Sequence, residues 1–177
     1  MPQRHEYVLQ LGGWKSPRFD RLQPGMRMRP VEPADLHALA ELMLEAYRGT
    51  IDYEGETDVE SIQEVERFLS PEARDRPLLS QSTLLFSGTT AVSACLVKHW
   101  QHRQCPLIGY VISLPSWKRR GLAARVLAES LSRLAEADHR EVRAVITEGN
   151  VASERLASRM GFKARPSRPS PAPAEGK

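Results

Sequence analysis

One stretch limits the fold of this chain more than any other: Leu107 to Leu127, LIGYVISLPSWKRRGLAARVL. The apolar run from Leu107 to Leu114 reads as a buried strand. A tight basic turn follows, and then a helix that begins at a glycine. Lys118, Arg119 and Arg120 stand immediately before Gly121-Leu122-Ala123. The free backbone N–H groups of such a helix start, with the positive end of the helix dipole, suit an anion such as a phosphate. Gly121 and Ala123 are small enough to let a ligand approach the backbone closely. About one helix and one strand later comes Asn150-Val151-Ala152-Ser153, leading to Gly161-Phe162.

The rest of the chain supplies strands and helices around that unit. Glu6 to Leu11 suggests a short strand that ends at Gly12-Gly13. Met26 to Val31 reads as the first core strand, and Glu32-Pro33 opens a helix. Leu36, Leu39, Ala40, Met43, Leu44 and Tyr47 mark the buried face of that helix, with Gly49 as its stop. Thr57 to Glu60, TDVE, is a capping box for a second helix reaching about Leu69, with Ile62, Val65 and Leu69 as its apolar stripe. Thr83 to Phe86 and Ala91 to Trp100 form a hairpin around Gly88-Thr89-Thr90. The long helix from Leu122 to about Ala137 buries Val126, Leu127, Leu131 and Leu134. Val142 to Thr147 is a strand by its β-branched content, and Ser153 to Met160 is a last helix stopped by Gly161.

Composition narrows the class. A chain of 177 residues with 41% hydrophobic content can build one domain with a proper core. No apolar run approaches the ~20 residues that span a bilayer, and MPQRHEYVLQLGG lacks an apolar stretch of signal-peptide length, so a cytoplasmic protein with no membrane partner is expected. The two cysteines make no disulfide framework. Cys95 reads as a small core residue in a strand, and Cys105 falls beside Pro106 in a loop, where a reactive role has no support. A net charge of +3 is mild for a nucleic-acid binder, and the chain is poor in aromatics, so no nucleic-acid partner is expected. No HxxxH or CxxC spacing points to a metal, and no nucleophile–His–acid arrangement is legible.

The two motifs together resemble the acyl-coenzyme A binding core of the GCN5-related N-acetyltransferases. That family's turn is Arg or Gln, two variable residues, Gly, one variable residue, then Gly or Ala; here Lys118-Arg119-Arg120-Gly121-Leu122-Ala123 departs at its first position. Asn150, Leu156, Gly161 and Phe162 fit the family's second element in order and spacing. The resemblance runs from about Met26 to Phe162. It implies a GNAT-like α/β fold: a mixed, largely antiparallel sheet flanked by helices, splayed where the cofactor enters. The expected organisation is an N-terminal extension over residues 1–24, a domain over 25–163, and a Pro/Ser-rich disordered tail over 164–177. Lys163-Ala164-Arg165 is followed by Pro166, Pro169, Pro171 and Pro173, which leaves little room for the family's usual C-terminal strand. The edge of Val142 to Thr147 would then need cover. Glu6 to Leu11 is the candidate, from within the chain or from a partner chain in a homodimer.

The resemblance implies acetyl-coenzyme A as co-substrate and a primary amine of a small molecule or peptide as acceptor. It assigns backbone contacts to Ile112 and Leu114 of the cofactor strand. The pyrophosphate falls on the turn of Arg119, Arg120, Gly121, Leu122, Ala123 and Ala124, and Asn150 supplies a further cofactor contact. Arg125 fits either a phosphate contact or an exposed helix position. Asn150 fits a helix cap equally well, unless Ser153 takes that part. For general base the nearest candidate is Glu148, just past the strand end, ahead of Glu54 and His99. The acidic loop with Asp52, Glu54 and Glu56 falls where the family borders its acceptor. Many members carry a Tyr after the helix Leu that protonates the departing thiolate; here Leu156 is followed by Ala157, which has no proton to give, leaving Tyr110 or water. Ala157 keeps a rival reading open, a non-catalytic acyl-coenzyme A sensor or regulatory domain.

Overall fold

The computed structural model describes residues 3–48 and 55–165. Seven strands form one sheet: β1 (Arg4–Gln10), β2 (Met26–Pro30), β3 (Thr83–Ser87), β4 (Thr90–Trp100), β5 (Cys105–Ser113), β6 (Glu141–Thr147) and β7 (Lys163–Ala164). The helices are α1 (Leu36–Tyr47), α2 (Asp58–Leu69), α3 (Leu122–Glu136) and α4 (Val151–Met160). Strand order is β2-β3-β4-β5-β6-β1-β7, and every pairing is antiparallel except β5 with β6. This is the expected mixed, largely antiparallel α/β sheet. Gly49, Asp52, Glu54 and the tail from Pro166 lie outside the described residues.

Period-two alternation feeds two cores, one on each face of the sheet. Leu84 and Phe86 of β3 pack with Leu39, Met43 and Val65 under α1 and α2, while Leu85 between them packs with Val126, Leu131 and Leu134 of α3. The buried residues of α2 are Ser61, Val65 and Phe68, with Ile62 and Leu69 only partly covered. The capping box at its start is formed in both directions: Thr57 Oγ1 accepts from the Glu60 N–H at 3.3 Å, and Glu60 Oε2 accepts from the Thr57 N–H at 2.7 Å. A 3₁₀ turn at Pro33–Asp35 leads into α1, and buried Asp35 is held there by both guanidinium nitrogens of Arg29, at 2.7 and 2.8 Å.

The edge of β6 is covered from within the chain. All seven residues of β1 run antiparallel to it, from Arg4↔Thr147 to Gln10↔Glu141. Glu6 anchors this pairing through Arg143 and through Arg103 at 2.9 Å. A partner strand at β6 therefore has no vacant edge to fill. A short C-terminal strand also exists: β7 pairs two residues, Tyr7↔Ala164 and Val8↔Lys163, on the outer edge of β1 and not beside the cleft. Cys105 belongs to β5, opposite Trp100, and not to a loop. Burial pushes its thiol up from the ordinary cysteine value, which makes a thiolate there unfavourable.

Candidate active site

The parallel pairing of β5 with β6 lasts only two rungs, Leu107↔Arg143 and Ile108↔Ala144, after which the strands part. At that point β5 carries a bulge. Leu96 of β4 opposes Tyr110, but its neighbour Val97 opposes Ile108, so Gly109 is the extra residue. A cleft of about 1310 Å³ opens between the two strands, lined also by α1, α2, the turn before α3, and α4. It exceeds the ~300–1,000 Å³ of sites for drug-sized ligands, so it suits a longer molecule.

The pairing decides which backbone groups face this cleft. The Leu114 N–H donates to Val92 O at 3.0 Å, which makes Leu114 a hydrogen-bonded partner of β4. Antiparallel pairs alternate, so Ile112 opposite Ala94 and Tyr110 opposite Leu96 turn their backbone groups the same way. Ser93 Oγ also donates to Ile112 O at 2.9 Å. Val111 and Ser113 are therefore the residues whose N–H and C=O point to the splayed side. This corrects the assignment of Ile112 and Leu114: the cleft-facing backbone is one residue out of step with it. Ile112 still lines the cleft, whereas Leu114 does not.

At the far end of β5, Pro115–Trp117 forms a 3₁₀ turn and Arg119 adopts φ 61°, a left-handed conformation unusual for a residue with a Cβ. Gly121, the N-cap of α3, is also left-handed at φ 73°, and no side chain caps the helix. A Cβ on Gly121 would meet nothing within 4 Å, so the space over it is open. Arg119, Gly121, Leu122, Ala123 and Ala124 all line the cleft. Arg120 does not; its guanidinium lies 4.5 Å from the Trp117 ring centre. Arg125 is engaged by the N-terminal segment: it donates to Asp20 O and stacks 5.1 Å from the Phe19 ring.

Asn150 lines the cleft and is itself the cap of α4, accepting from the Ser153 N–H at 3.1 Å. Ser153 does not take over that task. Glu148 is outside the lining; its side chain is 63% exposed and stands 3.9 Å from His5 Nε2. Glu148 is thus solvent-exposed and outside the lining, although Thr147 and Gly149 on either side of it line the cleft. His99, too, is absent from the lining. Ala157 sits on the buried floor of the cleft.

At the α1/α2 wall Tyr110 of β5, named from the sequence as a substitute proton donor, meets Glu64, which the sequence did not single out. Tyr110, the first residue past the bulge, donates its hydroxyl to Glu64 Oε1 and sits edge-on to Tyr47 and Phe68, at 6.3 and 6.0 Å between ring centres. Burial, then the hydrogen bond to Glu64 and its charge, push the phenol far above the ordinary tyrosine value. Glu64 Oε2 takes a second bond from Arg67 at 2.5 Å. Lys118, Arg119, Arg155 and Arg159 line the cleft near α3 and α4, and Glu56, Glu60, Glu64 and Arg67 line it at and just before α2. Among the described residues, no cluster of His, Cys, Asp and Glu could hold a metal, and no helix is long and apolar enough to cross a membrane.

The sheet thus splays between two parallel strands, with an uncapped helix start at the mouth of the opening. The chain belongs to the acetyltransferase (GNAT) domain family, whose model matches residues 26–163. No functionally curated protein matches it. Among solved structures it is similar to a GCN5-related N-acetyltransferase from Sphaerobacter thermophilus, with a TM-score of 0.66 and 21% identity over 93% of this chain and 50% of that one. It thus spans half the length of that protein. It is also similar to the aminoglycoside N-acetyltransferase AAC(6')-Iy in complex with CoA, with a TM-score of 0.61 and 16% identity over 86% and 99% of the two chains. A third likeness is to the ribosomal-protein-S18-alanine N-acetyltransferase from Escherichia coli, with a TM-score of 0.59 and 14% identity over 78% and 77%. At these identities the likenesses establish the fold.

Proposed function

We propose that this chain transfers an acyl group, acetyl in the first instance, from acyl-coenzyme A to a primary amine, acting as a cytoplasmic enzyme on a small molecule or a peptide. The observation that carries the reading is the uncapped start of α3 at the mouth of the β5–β6 cleft. The N–H groups there, with Arg119 and Lys118 beside them, suit a pyrophosphate. An anion at such a helix start gains about 0.3–1 kcal/mol from the dipole, up to ~2 in a partly buried site. Val111 and Ser113 offer backbone donors and acceptors to an extended amide-bearing arm, much as a neighbouring strand would. Asn150 borders the same arm from β6's end while its Oδ1 holds the α4 cap.

Bound acetyl-coenzyme A would supply an activated thioester, whose thiolate is a tolerable leaving group near neutral pH. The protein's part is to orient, to exclude water from the closed end of the cleft, and to handle the proton of the amine. The rival reading, a coenzyme A sensor, rests on Ala157, which presents no proton donor at the cleft floor. The two separate in one experiment. Free thiol release from acetyl-coenzyme A is followed with a panel of amines that includes spermidine and short peptides with free N-termini. Amine-dependent release, with an N-acetylated product by mass spectrometry, supports the enzyme; tight binding with no release to any amine supports the sensor.

A further inference from the structure

We propose that Tyr110 and Glu64 form the proton relay of this site, Tyr110 taking the proton from the attacking amine while Glu64 accepts the proton Tyr110 gives up. The proposal rests on the acyltransfer reading above and adds the group that performs its proton step. Three observations carry it. Tyr110 follows the bulge at Gly109 and stands at the closed end of the cleft, next to the rungs where β5 and β6 rejoin. From Ser113 back to Gly109 is four residues, about 13 Å of strand. An extended acyl-bearing arm held along that edge from the α3 turn brings its thioester to this end. Second, both Tyr110 and Glu64 line the cleft, and their side chains are already hydrogen-bonded. Third, both oxygens of Glu64 are occupied, Oε1 by the Tyr110 hydroxyl and Oε2 by Arg67. The Tyr110 hydroxyl thus gives a proton a direct hydrogen-bonded path from the cleft to the carboxylate. The phenol's raised pKa keeps it protonated at working pH, so that it has a proton to hand on.

The step balances. The amine nitrogen bonds to the thioester carbonyl carbon and the carbon–sulfur bond breaks. The amine's proton passes to the Tyr110 oxygen as the phenolic proton passes to Glu64 Oε1. Coenzyme A leaves as thiolate and takes up that proton, from Glu64 back through Tyr110 or from solvent. The relay replaces both the exposed Glu148 as base and the donor that Ala157 lacks. The groups facing the pair are Tyr47 of α1 and Glu60, Arg67 and Phe68 of α2.

The test uses Glu64→Gln and Tyr110→Phe, with acetyl-coenzyme A and spermidine or a free-N-terminal tetrapeptide. Gln keeps an oxygen to accept from the phenol, so the link from α2 to β5 survives while the base is lost. Both variants are expected to lose about 10²–10⁴-fold in kcat, the usual worth of general acid–base catalysis, with coenzyme A affinity and melting temperature retained. The pH profile should change shape as well. Wild type levels off at high pH, whereas Glu64→Gln keeps rising with hydroxide, which a bracing role for Glu64 would not produce. A Glu64→Gln protein at wild-type rate, a Tyr110→Phe protein at wild-type rate, or a Glu64→Gln pH profile of wild-type shape overturns the relay and leaves acyltransfer standing. A wild type that acetylates no amine overturns the acyltransfer reading and the relay with it.

Discussion

Leu9→Ala tests whether β1 is part of the domain's core or an ornament on its edge. Leu9 is 4% exposed, lies opposite fully buried Val142, and belongs to the cluster beneath α3 and α4. Its Cδ1 also sits 3.4 Å from where a Cβ on Gly161 would fall, so the side chain closes the gap over the end of α4. Removing three buried carbons at about 0.8 kcal/mol each forfeits about 2.4 kcal/mol of transfer free energy. The residual cavity adds to that, giving about 3 kcal/mol, within the ~2–5 range for buried Leu→Ala. In a chain of this size 1 kcal/mol shifts the melting temperature by about 2–4 °C, so a drop of about 6–12 °C is expected. The neighbouring Gln10→Ala, on an exposed residue of the same strand, should stay within about 0.5 kcal/mol. Calorimetric melting of the three proteins decides the matter. If Leu9→Ala melts with wild type, within about 1 °C, the strand does not belong to the core.

Two further substitutions probe the frame. Burial alone would raise the Asp35 carboxyl, but Arg29 and the Glu32 N–H outweigh it and hold it below the ordinary 3.8. The stability it contributes is therefore full above that value and drains away as pH falls through the lower folded value. Asp35→Asn should lose about 1.5–3 kcal/mol at neutral pH, and its urea midpoint should fall less steeply on acidification than that of wild type. Gly161 ends α4 at φ 95°, so Gly161→Ala should cost about 1–2 kcal/mol in urea unfolding, from backbone strain and not from a clash.

Local chemistry was legible in the sequence; long-range registry was not. The Thr57–Glu60 box could be read because both halves lie within one turn of each other. The basic turn into α3 was legible for the same reason, and the α4 stop at Gly161 needs only the residue itself. Ile112 and Leu114 were assigned to the cleft one residue out of phase because phase depends on the register against β4, which the bulge at Gly109 resets. Glu64 escaped notice because on α2 it reads as one more exposed polar residue; its meaning comes from Tyr110, 46 positions away. Glu148 is the converse case: it follows β6 in sequence, but its exposed side chain lies near His5 and outside the cleft lining.

The central claim is that the turn from Arg119 to Ala124 and the cleft behind it hold coenzyme A. Isothermal calorimetry of coenzyme A against wild type and Gly121→Glu tests it most directly. Gly121 opens onto free space, so a Glu there fits the fold apart from about 1–2 kcal/mol of left-handed strain, while its carboxylate enters the proposed pyrophosphate position. Saturable one-to-one binding to wild type, abolished in a Gly121→Glu protein that still melts cooperatively, is the predicted result. Equal binding to both proteins, or none to wild type, would contradict the account.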